Sequence, residues 1–157
     1  MGNGINKMHG IESNWPGTTS RISSPSMTPP HLCCRTQHFK DSIAFIHQSR
    51  LKGEGCLVHC LAGVSRSVTL VVAYIMTVTD LGWQDALAAV RAARSCANPN
   101  LGFQRQLADF ESTQAGHYRQ WLRECYKQNP FDDAENIRRL LSKETDTEEA
   151  RPSIGTS

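Results

Sequence analysis

The sequence predicts an α/β fold in which helices pack on a reduced sheet, and three observations carry that prediction. The run Cys56-Leu57-Val58-His59 is short, apolar and set between glycines, which suits a buried strand. The stretch that follows it, from Ser65 to about Thr79, is apolar on almost every face, as a central helix must be. Apolar residues at helical spacing recur on both sides of this pair. With 157 residues the chain has room for one domain with a sizeable core.

From Glu12 to Pro30, thirteen of nineteen residues are Ser, Thr, Pro or Gly, and Pro16, Pro25, Pro29 and Pro30 obstruct regular pairing. Such a segment buries too little apolar surface to offset its ordering entropy. Residues 8–36 are therefore expected to be disordered, and 1–37 to form a separate N-terminal segment. Order is expected from His38, where Phe39, Ile43, Ile46 and Arg50 fall at helical spacing with Phe45 beside them. The turn Lys52-Gly53-Glu54-Gly55 then leads into the strand. A third helix is expected from Trp83 to Arg94, with Trp83, Leu87 and Val90 on one face. Asn98-Pro99-Asn100 breaks the chain, and Asn100 can cap a fourth helix to about Glu111, with Phe103, Leu107 and Phe110 inward. Tyr74, Trp83 and Phe103 read as core. Two weaker helical patterns follow in 113–157, at Tyr118/Trp121/Leu122 and Ile137/Leu140/Leu141, before an acidic tail.

Charge and composition narrow the function. Seventeen Lys and Arg against fifteen Asp and Glu leave +2, too little for a nucleic-acid binder by bulk electrostatics. From Asp132 to Glu149 seven acids face three bases, which reads as a solvated end. The longest apolar run, Val68–Val78, is too short to cross a bilayer, and no apolar signal stretch opens the chain. The six cysteines are therefore expected to stay reduced, which directs attention to cysteine as a reagent.

The informative stretch is His59-Cys60-Leu61-Ala62-Gly63-Val64-Ser65-Arg66-Ser67. A cysteine ends the strand, five residues follow, and an arginine opens the helix. Backbone N–H groups at a helix N-terminus favour an anion, and the same field stabilises a thiolate. Arg66 offers a planar fork for two phosphate oxygens, and Gly63 lets the loop bend tightly. A bare Cys-x5-Arg pair recurs by chance, and Cys60 alone would read as a small buried residue. The strand, His59, the glycine and the following helix together favour a nucleophile in a phosphate cradle.

This stretch resembles the phosphate-binding loop of the Cys-based protein tyrosine phosphatases. Ala73-Tyr74-Ile75-Met76, Asn98-Pro99-Asn100 and Gly102-Phe103-Gln104-Arg105-Gln106-Leu107 are similar to the dual-specificity branch. Residues from His38 to about Glu111, with Met1-Gly2-Asn3-Gly4 and Tyr118-Arg119-Gln120-Trp121-Leu122, resemble its small atypical, N-myristoylated members associated with the Jun-kinase pathway. The resemblance implies a partial phosphatase domain at 38–112, N-terminally incomplete, hydrolysing phosphotyrosine and phosphoserine/threonine in proteins without metal or organic cofactor. It implies that Cys60 forms a phosphocysteine, with Arg66 and the amides of Leu61, Ala62, Gly63, Val64, Ser65 and Arg66 holding the phosphate. Ser67 would assist release of the thiolate, and His59 would support the loop. Asn98 and Asn100 are candidate braces, although an Asn beside proline is as often a plain turn residue. The implied partners are phosphoproteins, mitogen-activated kinase pathway components among them, and no nucleic acid. The implied location is the cytoplasm, with access to the inner plasma membrane and the nucleus.

The chain departs from that family in two ways. The family's general-acid Asp loop and most of its strands precede the segment matching His38-Phe39-Lys40, whereas here the acids before Cys60 are Glu12, Asp41 and Glu54. General acid catalysis is worth roughly 100- to 10,000-fold, so alkyl phosphates should suffer more than aryl phosphates. A single strand at Cys56–His59 would leave backbone unpaired and the chain marginally stable. A phosphate-binding module that does not turn over is the alternative, and arsenate reduction or sulfur transfer a third reading that the helix after Arg66 disfavours. Gly2 approaches the N-myristoylation pattern, with Asn6 where Ser or Thr is expected. His31, Cys33, Cys34 and His38 match no standard zinc spacing, so no metal is expected. Cys56 reads as a core cysteine, and Cys96 is the better placed of the two for regulation.

Overall fold

The computed structural model describes residues 19–23, 35–127 and 129–149. In chain order these form β1 (Thr19–Ser23), α1 (Arg35–Leu51), β2 (Gly55–His59), α2 (Arg66–Val78), α3 (Trp83–Ala93), α4 (Leu101–Thr113), α5 (Ala115–Tyr126) and α6 (Asp133–Glu149). Each helix and the strand expected from periodicity is present. The two weak C-terminal patterns are the full helices α5 and α6.

The expectation of a structureless 8–36 needs correction. Residues 19–23 pair in parallel with β2, in register from Thr19 opposite Gly55 to Ser23 opposite His59. Composition does not reveal this pairing, because a ladder is made by backbone N–H and C=O groups, which polar residues carry equally well. Between Pro16 and Pro25 the chain holds no proline, so every donor there is available. Hence the sheet among the described residues has two strands, not one. Helix α1 also starts at Arg35, inside the expected N-terminal segment, because the polar Arg35-Thr36-Gln37 carries no apolar period to mark it. The remainder of 8–36, Gly2, His31, Cys33 and Cys34 lie outside the described residues.

Helix α2 is the axis of the molecule. Val72, Ala73, Tyr74 and Met76 are closed to solvent, and α2 packs against β2, α1, α3, α4 and α5. Its near-continuous apolar surface follows from having neighbours on every side. Helix α1 turns Phe39, Ile43 and Ile46 inward, and α4 turns Leu107 and Phe110 inward. Phe39 and Phe110 meet edge to face at 5.2 Å, and Phe110 meets Tyr118 of α5 at 5.1 Å. Tyr74 is core as expected. Trp83 is half-buried against the core, and Phe103 is half-buried without joining it, because both sit in the first turn of their helices.

Candidate active site

The packing fixes β2 and α2 end to end, so the six-residue link between His59 and Arg66 must reverse within a small radius. Gly63 makes this possible at φ +66°, a conformation that costs an L side chain strain. A Cβ at Gly63 would lie 3.0 Å from Arg94 Nη2. The curled loop directs its groups at one sulfur. Gly63 N–H donates to Cys60 Sγ at 3.2 Å, and Ser67 Oγ lies 3.3 Å from the same atom.

The sulfur is tuned by these contacts. Partial burial opposes ionisation, but hydrogen bonds from the Ser67 hydroxyl and the N–H groups of Ser67, Gly63 and Ser65 outweigh it, lowering the thiol from 9.0 to about 7. At the other end of β2, burial pushes Cys56 up to about 11 despite a hydrogen bond with Ser49. β2 thus carries a thiol raised by burial at Cys56, and the loop that leaves it carries a lowered one at Cys60. Cys96 is exposed.

The other expected residues gather around the same loop. Leu61 is fully exposed, Gly63, Val64, Ser65 and Arg66 are half-buried, and His59 ends β2 half-buried. Arg66 Nε is buried and has no partner among the described residues. The braces work through backbone atoms, not amide side chains. Asn98 N–H donates to the Val64 carbonyl at 2.8 Å, and Asn100 N–H to Ser65 Oγ at 3.1 Å. The Asn100 side chain instead caps α4, accepting Phe103 N–H at 3.0 Å.

A cavity of about 260 Å³ opens beside the loop. Cys60, Leu61, Ala62, Gly63 and Ser67 form one wall, and Leu57, Val71, Ile75 and Val90 form an apolar one. No carboxylate lines it among the described residues. Asp41 is exposed on α1, where its charge acts on Tyr118 of α5, and Glu12 lies outside the described residues. Arg94 lines the cavity too, with Nε buried and unpartnered among the described residues. Sequence reasoning missed Arg94. Its only local signal is position, one turn before Asn98, whose N–H grips the loop.

The sulfur, the loop amides and the Ser67 hydroxyl thus converge on one point at the N-terminus of α2, and comparison with known proteins gives the family. Residues 19–113 match the family described as dual specificity phosphatase, catalytic domain. The chain is 70% identical over 114 residues to dual specificity protein phosphatase 22-B of Danio rerio, covering 73% of this chain and 62% of that protein. It is 67% identical over 107 residues to dual specificity protein phosphatase 22 of Homo sapiens, covering 68% and 58%. The crystal structure of DUSP15 is similar at a TM-score of 0.58 and 43% identity, over 66% of this chain and 76% of that one. The chain thus spans about 60% of the length of these two curated relatives.

Proposed function

The chain belongs to the dual specificity phosphatase catalytic-domain family, and from that premise we propose that it hydrolyses phosphotyrosine and phosphoserine or phosphothreonine in proteins through a phosphocysteine. The observation that carries the proposal is the Cys60 sulfur at the N-terminus of α2, 3.2 Å from Gly63 N and 3.3 Å from Ser67 Oγ, contacts that lower its thiol. In the first step the thiolate attacks phosphorus, the P–O bond to the substrate breaks, and the departing oxygen takes its proton from solvent. Arg66 and the loop amides hold the three remaining oxygens, and their contacts strengthen as charge builds in the transition state. In the second step water attacks phosphorus, the P–S bond breaks, and the Ser67 hydroxyl stabilises the returning thiolate.

Aryl phosphates are the favoured substrates of this chain, because phenolate leaves without a positioned acid far better than an alkoxide. The finer assignments rest on the family resemblance. Myristate on Gly2, with Lys7 as the nearby base, gives reversible attachment to the cytoplasmic face of the plasma membrane. The phosphoprotein substrates belong to kinase signalling, with the protein in the cytoplasm and nucleus.

Turnover of an aryl phosphate by the full chain, with Cys60→Ser as control, tests the proposal. Hydrolysis that disappears in the control supports it. Phosphate binding by both proteins without turnover by either overturns it in favour of a binding module. Mass spectrometry of the N-terminal peptide from cells checks Gly2, and an unmodified or acetylated terminus removes the membrane assignment.

A further inference from the structure

Serine is among the best residues for capping a helix, its hydroxyl oxygen accepting an N–H of the first turn. Ser65 occupies the N-cap of α2 and makes no such bond. Its oxygen instead accepts the N–H of Asn100, 3.1 Å away and 35 positions further along the chain. Both ends of that bond are fixed. The Ser65 carbonyl accepts the Thr69 N–H at 3.0 Å and the Thr69 hydroxyl at 2.9 Å. Asn100 is pinned by its own cap on α4 and by the neighbouring Asn98–Val64 bond.

The consequence lies in what the diverted hydroxyl leaves open. A capping Ser65 would occupy the N–H of Ser67 or Val68, the second and third positions of α2. The Ser67 N–H is one of the groups that hold the Cys60 sulfur, and an amide tied to a cap cannot serve a sulfur or a phosphate as well. We propose that the Asn100 N–H draws the Ser65 hydroxyl away from the first turn of α2 and so reserves those amides for the Cys60 sulfur and the bound phosphate. Asn100 and Ser65 are positioning residues, acting on Cys60 through α2. The inference deepens the phosphatase reading and rests on residues 60–67 being its phosphate cradle.

Two substitutions at Asn100 separate the N–H from the side chain. Asn100→Ala keeps the N–H and loses the α4 cap, whereas Asn100→Pro loses both, and the native φ of −66° already suits proline. In the full chain we would measure inorganic phosphate affinity by calorimetry and the rate of Cys60 alkylation by iodoacetate between pH 5 and 9. Relative to Asn100→Ala, Asn100→Pro is expected to weaken phosphate binding roughly fivefold and to move the alkylation curve to higher pH, the scale of one cap hydrogen bond. Adding Ser65→Ala to Asn100→Pro removes the released hydroxyl and should restore both readouts to those of Ser65→Ala alone. A proline variant equal to the alanine variant overturns the inference, and so does a loss that Ser65→Ala does not restore, since that marks mere loosening of the loop. Wild-type alkylation no faster than that of free glutathione at pH 6 would sink the phosphatase reading instead. The phosphate affinities of the variants would still judge the cap.

Discussion

Arg50, in the last turn of α1, and Asp133, which opens α6, form a two-point ion pair with Nη2–Oδ1 at 2.7 Å and Nη1–Oδ2 at 3.0 Å. The two side chains are 6% and 3% exposed. The same Nη1 donates to the Tyr74 hydroxyl at 2.8 Å, and the Phe131 ring covers the guanidinium at 4.0 Å. Asp133 lies beyond residue 113, where the family match ends, so this pair ties the C-terminal extension to the catalytic helices. Removing one member of a buried pair strands the other's charge, at a cost of roughly 3–5 kcal/mol. Asp133→Ala should therefore lower the unfolding free energy by roughly that amount in urea titrations, and Arg50→Met with Asp133→Leu should recover most of it. A single-variant loss below about 1 kcal/mol, the scale of an exposed pair, would show that the extension is held by other contacts.

The Cys60 thiol sets a pH dependence with a definite sign. Its folded value, about 7, lies below the ordinary 9.0. Ionisation therefore adds stability that is complete above the unfolded thiol's range and is lost as pH falls through about 7. The melting temperature of the wild type relative to Cys60→Ser should rise between pH 6 and 9, and alkylation should accelerate over the same range.

Ser67 supplies the strongest of the hydrogen bonds that lower that thiol. Ser67→Ala should shift the alkylation curve to higher pH. It should also slow breakdown of the phosphoenzyme by roughly 10- to 100-fold, the worth of a hydrogen bond to a charged group. Rapid-quench measurement of the burst and steady-state phases separates the two effects. An unchanged second phase would remove Ser67 from thiolate release.

Gly63→Ala combines two penalties, a strained φ of +66° and a methyl group 3.0 Å from Arg94 Nη2. The backbone part should cost roughly 1–2 kcal/mol of stability. Pairing it with Arg94→Ala should relieve the steric part alone, so the double variant should remain less stable than Arg94→Ala by the backbone penalty. Equal stability of those two proteins would contradict the left-handed loop.

The thiol inside β2 and the one just beyond its end should differ in order of labelling. Cys60 should react with iodoacetamide at pH 7 in the native chain, while Cys56, buried and pushed up to about 11, should react only after denaturant unfolds the strand. Peptide mass mapping at rising urea concentration reads this directly.

Much of the site is legible in the sequence because its parts are contiguous. Cys60, Gly63, Arg66 and Ser67 lie within one strand–loop–helix unit, and the geometry of Cys60, Gly63 and Ser67 follows from local hydrogen bonds and one left-handed glycine. The capping of α4 by Asn100 was legible for the same reason, since the acceptor and the Phe103 donor are three residues apart. Strand β1 was not, because four polar residues around the single Ile22 carry no apolar alternation and their partner, β2, lies beyond α1.

The sequence by itself determined the helices and the strand–loop–helix order that brings Cys60, Gly63 and Ser67 together, because periodicity and loop chemistry act over a few residues. Tertiary structure alone decided that Arg50 meets Asp133, that Arg94 reaches Gly63, and that Ser65 turns from its own helix to Asn100. Each of those contacts joins residues at least thirty positions apart. The path of the folded chain, not any preference of the residues themselves, chooses the partner.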